Sequence, residues 1–128
     1  MAAESNEVHG ADPHGPIFVV DDNPDFRDAL QDVLTDNGQE VVLAENGRDA
    51  LTKLAARRPC LILLDLMMPV MDGFEFLDQL QNLHSDIPVL VVSAHDTVVR
   101  GQRYPHVLGT LRKPFPIPEL LSFVNANC

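Results

Sequence analysis

Positive charge is scarce in this chain of 128 residues: nine Lys and Arg stand against 19 Asp and Glu, a formal net charge of −10. Surfaces for nucleic acid or for anionic lipid need clustered cations, so this balance argues against both partners. Cysteine is almost absent, occurring only at Cys60 and Cys128. Two residues cannot build a disulfide framework, and the expectation is a pair of ordinary cytosolic thiols. Long hydrophobic runs are missing too, none approaching the ~18 residues of a membrane span. The opening stretch, MAAESNEVHGADPHG, carries Glu4, Glu7 and Asp12 but neither Lys nor Arg, which excludes a secretory signal. These absences lead to the expectation of a soluble cytoplasmic protein without membrane insertion.

What is present suits one domain. Apolar residues make up 45% of the chain and charged residues 22%, and a domain of this length buries roughly 65–70% of its unfolded surface. Residues 1–15 lack periodicity and read as a disordered tail, leaving residues 16–128 as the folded unit. Beyond them two textures alternate. Short unbroken apolar runs (Ile17-Phe18-Val19-Val20, Val41-Val42-Leu43-Ala44, Cys60-Leu61-Ile62-Leu63-Leu64, Pro88-Val89-Leu90-Val91-Val92) suit strands covered on both faces. Between them, Phe26, Ala29, Leu30, Val33 and Leu34 recur at helical spacing, and Asn37-Gly38 supplies a stop. Ala50, Leu51, Leu54 and Ala55 mark a second helix, Phe74, Leu77, Leu80 and Leu83 a third. Ile117, Leu120, Leu121 and Val124 mark a last one. A short helix around residues 96–102, interrupted by Gly101, and a strand over residues 107–111 complete five β-α repeats. Such alternation predicts a (βα)5 doubly wound α/β fold with a five-stranded parallel sheet. Its ligand site would lie beyond the carboxyl ends of the strands.

Charged and polar residues gather at those ends. The first strand runs into Asp21-Asp22, the third into Asp65 and the fourth into Ser93-Ala94; Lys113-Pro114 follows the fifth. In the order 2-1-3-4-5 the first and third strands are neighbours, ~4.8 Å apart, so Asp21, Asp22 and Asp65 converge. Three carboxylates at that range repel unless a cation balances them, and Mg²⁺, a hard oxygen-seeking ion, meets that need. Each residue has an ordinary reading when taken alone. Asp21-Asp22 suits a turn and helix cap before Pro24, Lys113 a solvated lysine, and Ser93 a strand-end serine. The combination is harder to dismiss. The Lys113-Pro114 bond is also a candidate cis peptide that would fix where the ammonium points.

With these residues in view, the chain resembles the receiver domain of two-component response regulators over about residues 17–126. The resemblance rests on Val19-Val20-Asp21-Asp22-Asn23, Leu63-Leu64-Asp65-Leu66-Met67-Met68-Pro69, Met71-Asp72-Gly73, Val92-Ser93-Ala94 and Lys113-Pro114-Phe115, in that order. It implies a flavodoxin-like receiver fold in which Asp65 is the phosphoacceptor. It further implies that Asp21, Asp22, Asp65 and the backbone carbonyl of Met67 hold Mg²⁺, and that Ser93 and Lys113 bind phosphoryl oxygens. The donor would be the phosphohistidine of a histidine kinase or phosphotransfer protein, and modification would switch binding of a downstream protein. The expected role is thus a stand-alone phosphorelay switch rather than an enzyme acting on other substrates. Met67 and His95 would flank the water that removes the phosphoryl group.

Three departures from the family pattern stand out: Thr110 replaces the usual aromatic three positions before Lys113, the stretch after Ser93 is shortened, and Gly-Ala-rich entry to the fifth strand is missing. Tyr104, the sole tyrosine, lies in that stretch and cannot be assumed to take the aromatic role. A phosphorylation-independent interaction module of receiver fold is therefore the rival reading. An aspartate-nucleophile phosphatase would want a second acid where Met67 stands. A flavin module would want a phosphate-cradling loop where Asp21-Asp22-Asn23-Pro24 stands, and that acidic loop repels phosphate.

Overall fold

A computed structural model describes residues 10–83, 85–94 and 104–128. Five strands are present: β1 (Ile17–Val20), β2 (Val41–Ala44), β3 (Leu61–Leu64), β4 (Val89–Ser93) and β5 (Val107–Arg112). Four helices accompany them among the described residues: α1 (Pro24–Asp36), α2 (Gly47–Leu54), α3 (Gly73–Asn82) and α4 (Ile117–Asn127). The strands are all parallel and stand in the order β2-β1-β3-β4-β5. The helix expected around residues 96–102 lies outside the described residues.

Period-two alternation explains why the strand sequences are apolar throughout. Phe18, Val20, Ile62, Leu64, Val89 and Val91 face one way and meet α2 and α3 through Ala50, Leu54, Phe76, Leu77 and Leu80. Ile17, Val19, Leu61, Leu63, Leu90 and Val92 face the other and meet α1 and α4 through Leu30, Leu34, Leu120 and Val124. β1, β3 and β4 are thereby buried on both faces between helices, the arrangement that continuous Val/Ile/Leu runs encode, while the edge strands β2 and β5 are only partly covered. Near the start of β5 the register slips, with Val89 opposite Val107 but Leu90 opposite Gly109. Leu108 is the extra residue of this bulge and stays exposed.

The helix starts are capped by side chains. Asn23 Oδ1 accepts from the backbone N–H groups of Asp25 and Phe26 at 3.0 and 3.2 Å, and Pro24 opens the helix where an N–H would be unused. Asp72 and Glu75 form a reciprocal capping box on α3. The face of α3 that packs inward is Gly73, Phe76, Leu77 and Leu80, so Phe74 and Leu83, expected inside, are exposed. Gly73 sets this phase: a Cβ there would lie 2.6 Å from Leu66 Cα and 2.7 Å from the Asp65 carbonyl oxygen.

Two expectations are corrected. Cys60 and Cys128 are not thiols but form a disulfide across 68 residues of sequence, with Cα atoms 5.4 Å apart. Topology brings them together, because α4 returns antiparallel to β5 and ends where β3 begins. Residues 10–15, read as part of the tail, form a turn held to the body: Asp12 N–H donates to the Pro59 carbonyl at 3.0 Å, and Ala11 packs against the core.

Candidate functional site

The sheet places the acidic residues before any side-chain contact is considered. Val20 stands opposite both Ala44 and Leu64, and the next rung carries the ladder into the site. There Asp21 N–H donates to the Ala44 carbonyl at 3.1 Å and Asp65 N–H donates to the Val20 carbonyl at 2.9 Å. Asp21 and Asp65 thus leave adjacent strands at the same level. Asp22 follows at the surface. One carboxylate oxygen from each of Asp21, Asp22 and Asp65 lies within 4.8 Å of the others.

Their surroundings differ. Asp21 is buried and doubly held: Oδ1 accepts from the Asn23 N–H at 2.9 Å, and Oδ2 accepts from Lys113 Nζ at 2.7 Å. Arg27 Nη1 also donates to the Asp21 carbonyl at 2.6 Å, fixing the strand end from α1. Asp65 is buried with a weaker partner, the Met67 N–H at 3.3 Å. Burial, and then the charge of Asp21, push the Asp65 carboxyl above the ordinary carboxylate range; the Lys113 charge and the Met67 hydrogen bond oppose this, and Asp22 adds to it. Lys113 offsets one of the three negative charges, leaving an excess that a divalent ion matches. A set of hard carboxylate oxygens suits Mg²⁺ or a similar oxygen-seeking cation.

Lys113 is itself positioned from two directions. Its backbone N–H donates to the Ser93 carbonyl at 2.7 Å, tying the ends of β5 and β4, and its bond to Pro114 is cis, as the sequence suggested. Its Nζ lies 3.9 Å from the centroid of the Phe26 ring, and Phe26 meets Phe115 edge to face at 6.4 Å and 83°. Phe26 had the sequence signature of a core residue, and nothing in the chain's spacing signals the ring beneath the lysine. Ser93 is wholly buried as the last residue of β4. Met67 is exposed, as is Ala94, while His95 lies outside the described residues. Between Asp65 and α3 the chain makes a γ-turn at Val70, which has φ 69° while Met71 N–H donates to the Pro69 carbonyl at 2.8 Å. A β-branched residue at positive φ is strained, and here the strain lies in the loop that carries the Asp65 neighbourhood into α3. Thr110 lies on β5 opposite Val91. Tyr104 is buried on the α2–α3 face, its hydroxyl donating to Asp78 Oδ1 at 2.8 Å.

Comparison with known proteins agrees with this geometry. The family model of the response regulator receiver domain matches residues 17–125. Response regulator MprA of Mycolicibacterium vanbaalenii is 40% identical, over 86% of this chain and 48% of that protein. The chain thus spans about half the length of the curated relatives it matches. Among solved structures, the receiver domain of Francisella response regulator 1452 superposes with a TM-score of 0.78 at 28% identity, covering 88% of this chain and 94% of that one. Response regulator TrrA of Thermotoga maritima, solved in complex with Mg²⁺-BeF, gives 0.76 at 27% identity, covering 89% and 99%. With family match, fold and acidic cluster in agreement, the chain belongs to the response-regulator receiver-domain family.

Proposed function

We propose that this domain takes a phosphoryl group from a phosphohistidine donor onto Asp65 and that the modified state changes which protein it binds. One observation carries the reading: Asp65 ends a buried strand with Asp21 and Asp22 within 4.8 Å, while Lys113 stands on the same cluster. In the transfer an Asp65 carboxylate oxygen forms the new bond to phosphorus as the bond to the donor's imidazole nitrogen breaks. The resulting acyl phosphate leaves the imidazole to take up a proton. Asp21, Asp22, Asp65 and the Met67 carbonyl would hold Mg²⁺, which when bound supplies positive charge to the equatorial phosphoryl oxygens. Lys113 pairs with another of those oxygens, and the Ser93 hydroxyl donates to one. Little further covalent machinery is needed, so the domain is a phosphoacceptor rather than an enzyme with an external substrate.

The partners in this reading are a histidine kinase or phosphotransfer protein upstream and a protein target downstream, in the cytoplasm. The receiver unit starts at Pro16, and the turn over residues 10–15 leads into it. Intact-mass measurement after incubation with a small acyl-phosphate donor and Mg²⁺ tests the proposal. One added phosphoryl group is expected, mapped to Asp65 and lost in Asp65→Asn. Stoichiometric labelling of that variant would overturn the assignment. No labelling of the unaltered protein by small donor or kinase would favour a phosphorylation-independent interaction module.

A further inference from the structure

We propose that Phe26 is a positioning residue for Lys113: its ring is a neutral seat on which the ammonium turns between Asp21 and the phosphoryl group, an inference resting on the phosphoacceptor reading above. The geometry begins with the cap of α1. Asn23 Oδ1 holds the backbone N–H of Phe26 at 3.2 Å, which places this residue in the first helical turn, beside the strand ends. There the ring face lies 3.9 Å from Lys113 Nζ, well inside the range of a cation–π contact. The seat is braced by the segment that carries the lysine, since Phe115, two residues on, meets the Phe26 ring edge to face.

The contact solves a chemical problem at this site. Lys113 donates to Asp21 Oδ2 at 2.7 Å, yet in transfer it must serve an oxygen that arrives on Asp65. A second carboxylate in place of the ring would hold the ammonium by a directed hydrogen bond and add to an already excessive negative charge. An aromatic face attracts the cation without a directed lone pair and without net charge. The ammonium can thus swing while one side stays desolvated, consistent with a Lys113 side chain only 20% exposed. Arg27, the neighbour on α1, holds the Asp21 carbonyl, so successive residues of one helix turn fix both members of the Lys113–Asp21 pair.

A substitution series separates this role from simple packing. Phe26→Leu keeps an apolar side chain but removes the π face, whereas Phe26→Trp keeps a face. Phe26 is half-buried, so both variants should fold, and thermal melts check that they do. With Mg²⁺ and a small acyl-phosphate donor, Phe26→Leu should be phosphorylated about threefold to tenfold more slowly, and Phe26→Trp should regain most of the rate. Independently of phosphorylation, the Lys113 ε-methylene protons should show an upfield ring-current shift in the NMR spectrum, present in the unaltered protein and Phe26→Trp and lost in Phe26→Leu. Equal rates in all three proteins, a tryptophan variant as slow as leucine, or no ring-current shift would each overturn the proposal. Failure of the phosphoacceptor reading itself is distinct, since it would leave the ring-current series intact while no protein is labelled at Asp65.

Discussion

Lys113 is paired with Asp21, not with the residue proposed to accept the phosphoryl group. Nζ lies 2.7 Å from Asp21 Oδ2, and the carboxylate is almost wholly enclosed, with 3% of its side chain exposed. The pair is therefore part of the resting fold as well as part of the site. Removing the lysine alone strands a buried charge, which costs more than the pair contributes.

Lys113→Met should accordingly destabilise the domain by about 1–3 kcal/mol, read from urea unfolding, because among the described residues the Asp21 carboxylate then keeps only the Asn23 N–H. Saturating divalent cation should recover part of the loss by replacing the missing positive charge. A variant as stable as the parent would show that Asp21 is not held by this contact.

Asp65 makes a second, opposite contribution. Its carboxyl is pushed above the ordinary value of 3.8, first by burial and then by Asp21. The native state therefore binds a proton more tightly than the unfolded chain does. By linkage, stability is lost as pH rises from near the unfolded value through the higher native one. Asp65→Asn removes the ionisation and should be more stable than the parent at neutral pH, the difference narrowing as pH falls towards 4. Melting curves across that range decide it; a constant difference would place the titrating group elsewhere.

Binding of Mg²⁺ should relieve the same repulsion. At ten times its dissociation constant, a ligand specific to the native state adds about 1.4 kcal/mol, a shift of about 4 °C in melting temperature for a domain of this size. Asp22 is exposed and adds repulsion to Asp65, so Asp22→Ala should keep or raise stability without the ion while losing the shift. An unchanged Mg²⁺ response in that variant would mean that the ion sits away from this cluster.

Gly73 is the packing test. A Cβ at this position would fall 2.6 Å from Leu66 Cα and 2.7 Å from the Asp65 carbonyl oxygen, both backbone atoms that cannot swing away. Gly73→Ala should therefore cost about 1–3 kcal/mol, and the displaced Asp65 backbone should slow phosphorylation as well. Destabilisation without any change in labelling would show that the strand end absorbs the strain before it reaches the carboxylate.

The strands were legible because period-two burial on both faces leaves unbroken apolar runs, and the acidic cluster followed from strand order. Phe74 was misplaced because Phe74, Leu77 and Leu80 share helical spacing as well as Phe76, Leu77 and Leu80 do. The choice between them is made by Gly73 against Leu66, a contact between segments that periodicity does not report. Phe26 and Phe115 lie far apart in sequence, and their meeting under Lys113 depends on where α1 and the end of β5 come together. The disulfide is of the same kind: Cys60 and Cys128 carry no spacing signal and become neighbours only once α4 has docked.

That bond also changes what kind of object the chain is. It closes residues 60–128 into a covalent ring, and Asp65, Ser93 and Lys113 all lie within the ring. Asp21 and Asp22 belong to the open arm that precedes it. The acidic cluster is thus assembled between a linear segment and a cycle, with β1 held against β3 by backbone hydrogen bonds. Backbone cleavage inside the ring would open the cycle without separating its pieces, whereas cleavage between Asp22 and Cys60 would release Asp21 and Asp22 from any covalent tie to Asp65.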